Sequence, residues 1–203
     1  LLASPHKLGI SHSTVTHPPL FTVEQSRALR GQIPGGHTKN LFLRDKKNNV
    51  FLVTAEEDAD IDLKSLHRLL GASGRFSFGS AELMMELLGV APGSVTPLGL
   101  LHDTEARINV VLDAALMEHD TINCHPLVNT ATTSIARDDL LRFMRANGVE
   151  PPSWDEAWRE YRAHMAYGFY MWACTRLVEP RITYEFVRRL GLAVTELDSY
   201  GLL

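Results

Sequence analysis

Cysteine is almost missing from this chain: Cys124 and Cys174 are the two in 203 residues. They form no C-x-x-C pair, so no disulfide framework is indicated, and both are expected to be small buried hydrophobes in a reducing compartment. No apolar run approaches the roughly 20 residues that cross a bilayer. Leu1 to Lys7 lack the basic and apolar regions of a secretory leader, so cytoplasm is the expected location. The chain opens on Leu1 rather than Met, and a truncated or processed start is expected. The nine histidines include no H-E-x-x-H and no cysteine partner at zinc spacing, so no metal is expected. G-x-S-x-G, G-x-x-x-x-G-K-[ST] and G-x-G-x-x-G are all absent, which sets aside the commonest hydrolase and nucleotide motifs and gives no sign of a cofactor. Charge of one sign is also lacking. Twenty basic and 24 acidic residues leave a formal net charge of -4, against attachment to nucleic acid through a diffuse basic field. A few placed cations remain compatible with that balance.

What is present is an ordinary globular composition, 45% hydrophobic and 22% charged. The length suits one domain with an appendage. Thr22 and Gln25 form a capping box and predict a short helix to about Arg30. Ile33-Pro34-Gly35-Gly36-His37 then reads as a loop before a β-hairpin, with Leu41-Phe42-Leu43 and Val50 to Val53 flanking polar Lys46 to Asn49. Leucines at 63, 66, 69 and 70 predict a helix stopped by Gly71. Arg75 to Phe78 reads as a short strand, and Ser80 and Gly89 bracket a helix over 81–88. Ile108 to Leu112 and Thr121 to Cys124 read as strands, and Asp138 to Asn147 as a helix. The acidic run Glu56 to Asp60 reads as a solvated turn. The order predicts an α+β domain with one mixed, largely antiparallel sheet and flanking helices. After Pro151-Pro152, a capping box at Ser153 to Glu156 opens a helix to about Thr175, and a second helix over about 182–197 completes a helical hairpin. The division expected is 1–147 for the domain and 148–203 for a helical tail.

Three polar segments carry groups suited to chemistry, and each has an ordinary reading beside the functional one. Gly35 to Asn40 combines backbone that approaches a ligand closely with a cation, Lys39, and an amide, Asn40; it is equally a polar turn. Gly93 to Gly99 suits a pocket wall or a plain helix-to-strand connection. His125 to Thr133 gathers an imidazole, an amide and hydroxyls after a strand end, where binding groups are common; a histidine before proline is also a frequent structural residue.

Together the segments resemble a known family. His17-Pro18-Pro19-Leu20-Phe21-Thr22, Gly36 to Asp45, Gly93-Ser94-Val95-Thr96-Pro97 and His125 to Thr132, in that order, are similar to the freestanding prolyl-tRNA editing proteins related to the YbaK domain. The likeness covers about 1–147 and implies that fold. It also implies hydrolysis of the ester joining a wrong amino acid to proline tRNA, with alanine favoured by the His37-Thr38-Lys39-Asn40 form. Removal of cysteine, or a silent tRNA- or protein-binding module of the same fold, are the alternatives.

By that resemblance Lys39 is the essential lysine, holding a phosphate or carbonyl oxygen of the acceptor end, and Asn40 hydrogen-bonds the substrate. His125 shapes the pocket floor or orients the terminal ribose. His37, Thr38, Gly93, Pro97, Gly99, Asn129 and Thr130 line the substrate site, and Leu20 and Val23 form its walls. Aminoacylated tRNA is the implied partner, with association to prolyl-tRNA synthetase or an elongation factor. The tail, from Trp158-Arg159-Glu160-Tyr161-Arg162 to the final Leu203, resembles the last helices of aminoglycoside-phosphotransferase-like kinases. Their catalytic loop is absent, so no phosphotransfer follows.

Overall fold

The computed structural model describes residues 5, 7–19, 33–150, 171–173 and 175–176. The strands are β1 (His12–Thr16), β2 (Gly36–Arg44), β3 (Val50–Glu56), β4 (Ser77–Phe78), β5 (Ile108–Asp113), β6 (Thr121–Cys124), β7 (Ala131–Ala136), β8 (Val149–Glu150), β9 (Met171–Ala173) and β10 (Thr175–Arg176). The α-helices are α1 (Leu63–Leu69), α2 (Ala81–Leu88) and α3 (Arg137–Ala146), with 3-10 turns at Pro97–His102 and Leu116–Glu118.

The helices begin and end where local chemistry dictates. Ser80 accepts a hydrogen bond from the Leu83 N–H and starts α2, and Gly89 ends it with φ of 65°. Asp62 caps α1 through the Lys64 N–H. The first turn of α3 has no capping side chain but carries Asp138 and Asp139, whose negative charges complement the positive end of the helix dipole. In the β2–β3 turn Asn48 takes φ of 65°. The buried Asp45 carboxylate ties that turn together, accepting from the N–H groups of Lys47 (2.8 Å), Asn49 (2.9 Å) and Ser73 (2.9 Å).

The main sheet has eight strands, in the order β1-β7-β6-β2-β3-β5-β9, with β4 added on β2. Pairing is parallel at β2–β6 and β3–β5 and antiparallel elsewhere, the mixed, largely antiparallel sheet expected. Because side chains alternate along each strand, two different cores form. Phe42, Leu52, Val110, Leu112, Ile122 and Ile135 meet Leu87 and Leu88 of α2 and Leu140, Phe143 and Met144 of α3. Leu43, Phe51, Val53 and Val111 point the other way and are covered by Leu66 and Leu70 from α1 and its end. Each fully buried side chain of this size stabilises the fold by about 1.5–3 kcal/mol relative to exposure.

Several expectations need correction. Gly36 to Asn40 is not a loop before the hairpin but the first half of β2. The strand expected from Arg75 is confined to Ser77–Phe78. Within the acidic run Glu57 is buried, 5% exposed, rather than solvated. In the tail, Met171–Ala173 and Thr175–Arg176 are strands rather than the end of a helix, because they pair with β5 and β8. The remainder of the helical hairpin, and the helix expected over 22–30, lie outside the described residues.

Candidate functional site

β2 carries the motif residues, and strand alternation divides them. Lys39 lies opposite Ala55 on the α1 side, in line with Leu41 and Leu43. Its ammonium donates to the Ala59 carbonyl. The buried Asp113 carboxylate is close enough to feel that charge. Burial is the largest influence on Asp113 and raises its pKa, with Glu56 adding to it; N–H groups of Glu56 and Ala115 and the Lys39 charge oppose. Lys39 is thus half-buried, with an acidic neighbour, not a solvated turn residue.

Asn40 and Thr38 occupy the other side, facing α2 and α3. Thr54 donates to Asn40 Oδ1 (2.8 Å), Asn40 Nδ2 donates to the Thr38 hydroxyl (3.4 Å), and Thr38 donates to the Asn123 carbonyl (3.0 Å). This chain of bonds joins β3, β2 and β6. Asn123, 2% exposed, then fixes the approach to β2 by donating to the Pro34 carbonyl at 3.0 Å. His37 donates from Nε2 to the Ile33 carbonyl at 2.9 Å.

β2 and β6 run parallel through only two residue pairs, Gly36 with Ile122 and His37 with Asn123. The ladder ends there, and Lys39 and His125 each follow its last pair by two residues on the two neighbouring strands. His125 donates from Nδ1 to the Ala131 carbonyl at 3.2 Å, and its pKa is lowered, chiefly by burial and further by the nearby His17, against the effect of that hydrogen bond. Behind it, Cys124 faces the opposite core, its thiol pushed up to about 12 by burial despite the Thr96 hydroxyl. Leu127, two residues on, holds φ of 69°, a strained value for a branched side chain.

The Gly93 to Gly99 segment lies on the α2 side. Gly93 turns with φ of 87°, Thr96 is buried beside Cys124, and its hydroxyl accepts from the Leu98 N–H. Pro97 starts the 3-10 turn, and Gly99 is buried where a Cβ would stand 3.0 Å from Leu88. Its small size is therefore used against α2. Alternation along β2 thus places Lys39 and His37 on one side of the sheet, and Thr38 and Asn40 on the other, the side of the Gly93 to Gly99 segment. Thr130 is exposed at the start of β7, Asn129 half-buried beside it, and Leu20 and Val23 fall outside the described residues.

An open cleft of about 500 Å³ lies elsewhere, lined by residues that include Ser13, Val15, Gly35, Thr121 and Ser134. It sits at the beginning of β6, whereas Lys39 and His125 stand beyond its end. No group of acidic, histidine or cysteine side chains suited to a metal occurs among the described residues, and none of their helices is long and apolar enough to cross a membrane.

A family model described as the aminoacyl-tRNA editing domain matches residues 17–143. The chain belongs to that family. Its relatives include "Prolyl-tRNA synthetase associated domain-containing protein 1" of Danio rerio, 43% identical over 71% of this chain and 79% of that protein. "Prolyl-tRNA editing protein ProX" of Acetoanaerobium sticklandii is 34% identical over 73% of this chain and 90% of its own length. A solved structure of a candidate trans-editing enzyme for prolyl tRNA synthetase shares the fold with TM-score 0.53 and 23% identity, covering 70% of this chain and 92% of the other.

Within the editing domain the structure adds residues that motif reading did not single out. His17 stood in the matched sequence without a role; its Nε2 lies 2.9 Å from the Thr132 hydroxyl. Asp113 closed a β-rich run and gave no local sign that it would face Lys39.

Proposed function

We propose that this editing-domain protein is a trans-acting deacylase that hydrolyses mischarged alanyl-tRNA(Pro), with residues 1–147 as the editing unit, acting in the cytoplasm. Family membership supports the ester-hydrolysis class. The observation that supports the assignment to these residues is the β2–β6 ladder, whose last pair Lys39 and His125 each follow by two residues on neighbouring strands. An aminoacyl ester is already activated, so the site needs to position water and stabilise the developing oxyanion. Lys39 holds the acyl carbonyl oxygen or a terminal phosphate with the N–H groups that Ala59 leaves free. His125, protonated at Nδ1, offers its Nε2 lone pair to a hydroxyl of the terminal ribose. Water adds to the carbonyl carbon, the bond to the ribose oxygen breaks, and that oxygen takes up the proton water has lost. The Asn40–Thr38–Thr54 chain acts from behind, holding β2 in place. Alanine is admitted and proline excluded by steric fit, for which a clash is more decisive than a missing methylene.

A deacylation panel with alanyl-, cysteinyl- and prolyl-tRNA(Pro) tests the reading, run on the full chain and on Lys39→Ala. Selective loss of alanine from the charged tRNA, abolished in the variant, is expected. Preference for the cysteinyl substrate would reassign the specificity. Binding of charged tRNA without hydrolysis would instead make the protein a recognition module, and association with prolyl-tRNA synthetase would then be the role to pursue.

A further inference from the structure

Two imidazoles hold the start of β7 from its two sides. β7 lies between β1 and β6. From the β1 side His17 donates its backbone N–H to the Thr130 carbonyl at 2.9 Å and sets Nε2 2.9 Å from the Thr132 hydroxyl. From the β6 side His125 sets Nδ1 3.2 Å from the Ala131 carbonyl. Three consecutive residues, Thr130 to Thr132, are therefore gripped by two histidines.

The tautomers follow from the partners, because a carbonyl oxygen only accepts. His125 donates from Nδ1, which leaves its lone pair on Nε2. His17 donates from Nδ1 to the Pro18 carbonyl at 2.8 Å. In the neutral His17 ring, Nε2 is then the acceptor, and the Thr132 hydroxyl donates to it.

We propose that His17, locked between Pro18 and Thr132, is a positioning residue of the editing site: by fixing the start of β7 it sets the Ala131 carbonyl that holds His125 as the Nδ1–H tautomer, with Nε2 facing the substrate. The catalytic consequence rests on the deacylase reading; the structural one does not. The link runs through β7, where Thr132, held by His17, adjoins Ala131, whose carbonyl accepts from His125. Of the other groups around His125, Cys124 beside it on β6 remains a neutral thiol, and Thr130 and Thr132 from β7 carry no charge. His125 already sits below the ordinary imidazole range through burial and the proximity of His17.

The experiment follows the histidine side-chain nitrogens by NMR through a pH series in the full-length protein, for wild type, His17→Asn, Thr132→Val and Thr132→Ser. In parallel, the pH profile of kcat/KM for alanyl-tRNA(Pro) deacylation is recorded. Wild-type His125 is expected as the Nδ1–H tautomer. His17→Asn should give His125 mixed tautomers, with the plateau of kcat/KM falling several-fold. Thr132→Val should give both histidines mixed tautomers, and Thr132→Ser should restore the single ones. A single Nδ1–H tautomer of His125 kept in folded His17→Asn, or an Nε2–H tautomer in wild type, overturns the proposal. Should His17→Asn fail to fold, the near-isosteric Thr132→Val decides by whether His125 keeps one tautomer. Absence of deacylation in wild type would sink the deacylase reading alone, since the NMR result stands without turnover.

Discussion

Lys39 and Asn40 are neighbours in sequence and stand on opposite sides of the sheet, the first opposite Ala55 and the second opposite Thr54. A strand makes this unavoidable, and it gives the two residues different work. Lys39 follows the last β2–β6 pair by two residues, as His125 does on the neighbouring strand. Asn40 is absorbed in a chain of hydrogen bonds beneath it.

Replacing Lys39 with alanine should therefore lower deacylation of alanyl-tRNA(Pro) by about a hundredfold or more, the scale of losing one oxyanion-stabilising donor. The Ala59 carbonyl it leaves is in a half-buried turn that water reaches, so the unfolding midpoint should stay close to wild type. Full activity in the folded variant would remove Lys39 from the mechanism.

Asn40→Ala should show itself first in stability. The Thr54 hydroxyl is fully buried and loses its acceptor, a cost of about 1–3 kcal/mol. Urea unfolding measures it, and an unchanged midpoint would mean that the chain from Thr54 to Asn123 holds nothing together.

Asp45→Asn tests the hairpin and its pH dependence. Burial acts to raise the Asp45 pKa, but hydrogen bonds from the Asn49 side chain and from the Ser73, Asn49 and Lys47 N–H groups outweigh it and hold it below 3.8. A carboxylate depressed by folding adds stability above its unfolded pKa, and that contribution fades as pH falls through the folded value. The variant should lose about 2–3 kcal/mol at neutral pH. Its deficit against wild type should shrink in acid, read from denaturation curves at both pH values.

Gly35→Ala and Gly148→Ala form a matched pair. Both glycines have positive φ, 114° and 75°. A Cβ at Gly148 meets nothing within 4 Å, whereas at Gly35 it would come within 2.6 Å of the Thr121 carbonyl oxygen. Gly148→Ala should cost about 1 kcal/mol from backbone strain alone. Gly35→Ala should cost clearly more and reduce activity, because backbone must shift between the starts of β2 and β6. Equal thermal shifts would refute the contact.

The helix α2 was legible because its signals are local: Ser80 and Gly89 each act on the neighbouring turn. The β2–β3 hairpin was legible from two apolar runs around a polar turn. β1 and β7 were not. His12–Thr16 is an edge strand with mostly exposed side chains, so no apolar alternation marks it, and Ala131–Ala136 is buried largely through threonines. Both exist because they pair with each other. The motif residues could be named from sequence, but their sorting onto two sides requires knowing that β2 begins at Gly36. The closeness of His17 to His125 requires β7 between them, a relationship no local pattern encodes. β9 was misread for the same reason: its conformation is set by β5 rather than by its own helical spacing.

The two-pair ladder between β2 and β6 makes a thin seam. On one side of it β1, β7 and β6 form one antiparallel unit, and on the other β2, β3 and β5 are joined by longer ladders. Backbone pairing this sparse opens with its own free energy although the two flanks share a core, and amide exchange should register the seam before either flank. Lys39 rides on one flank and His125 on the other. The distance between them is thus a property of how the two halves seat together, and substitutions far from any substrate can retune it while leaving both halves folded.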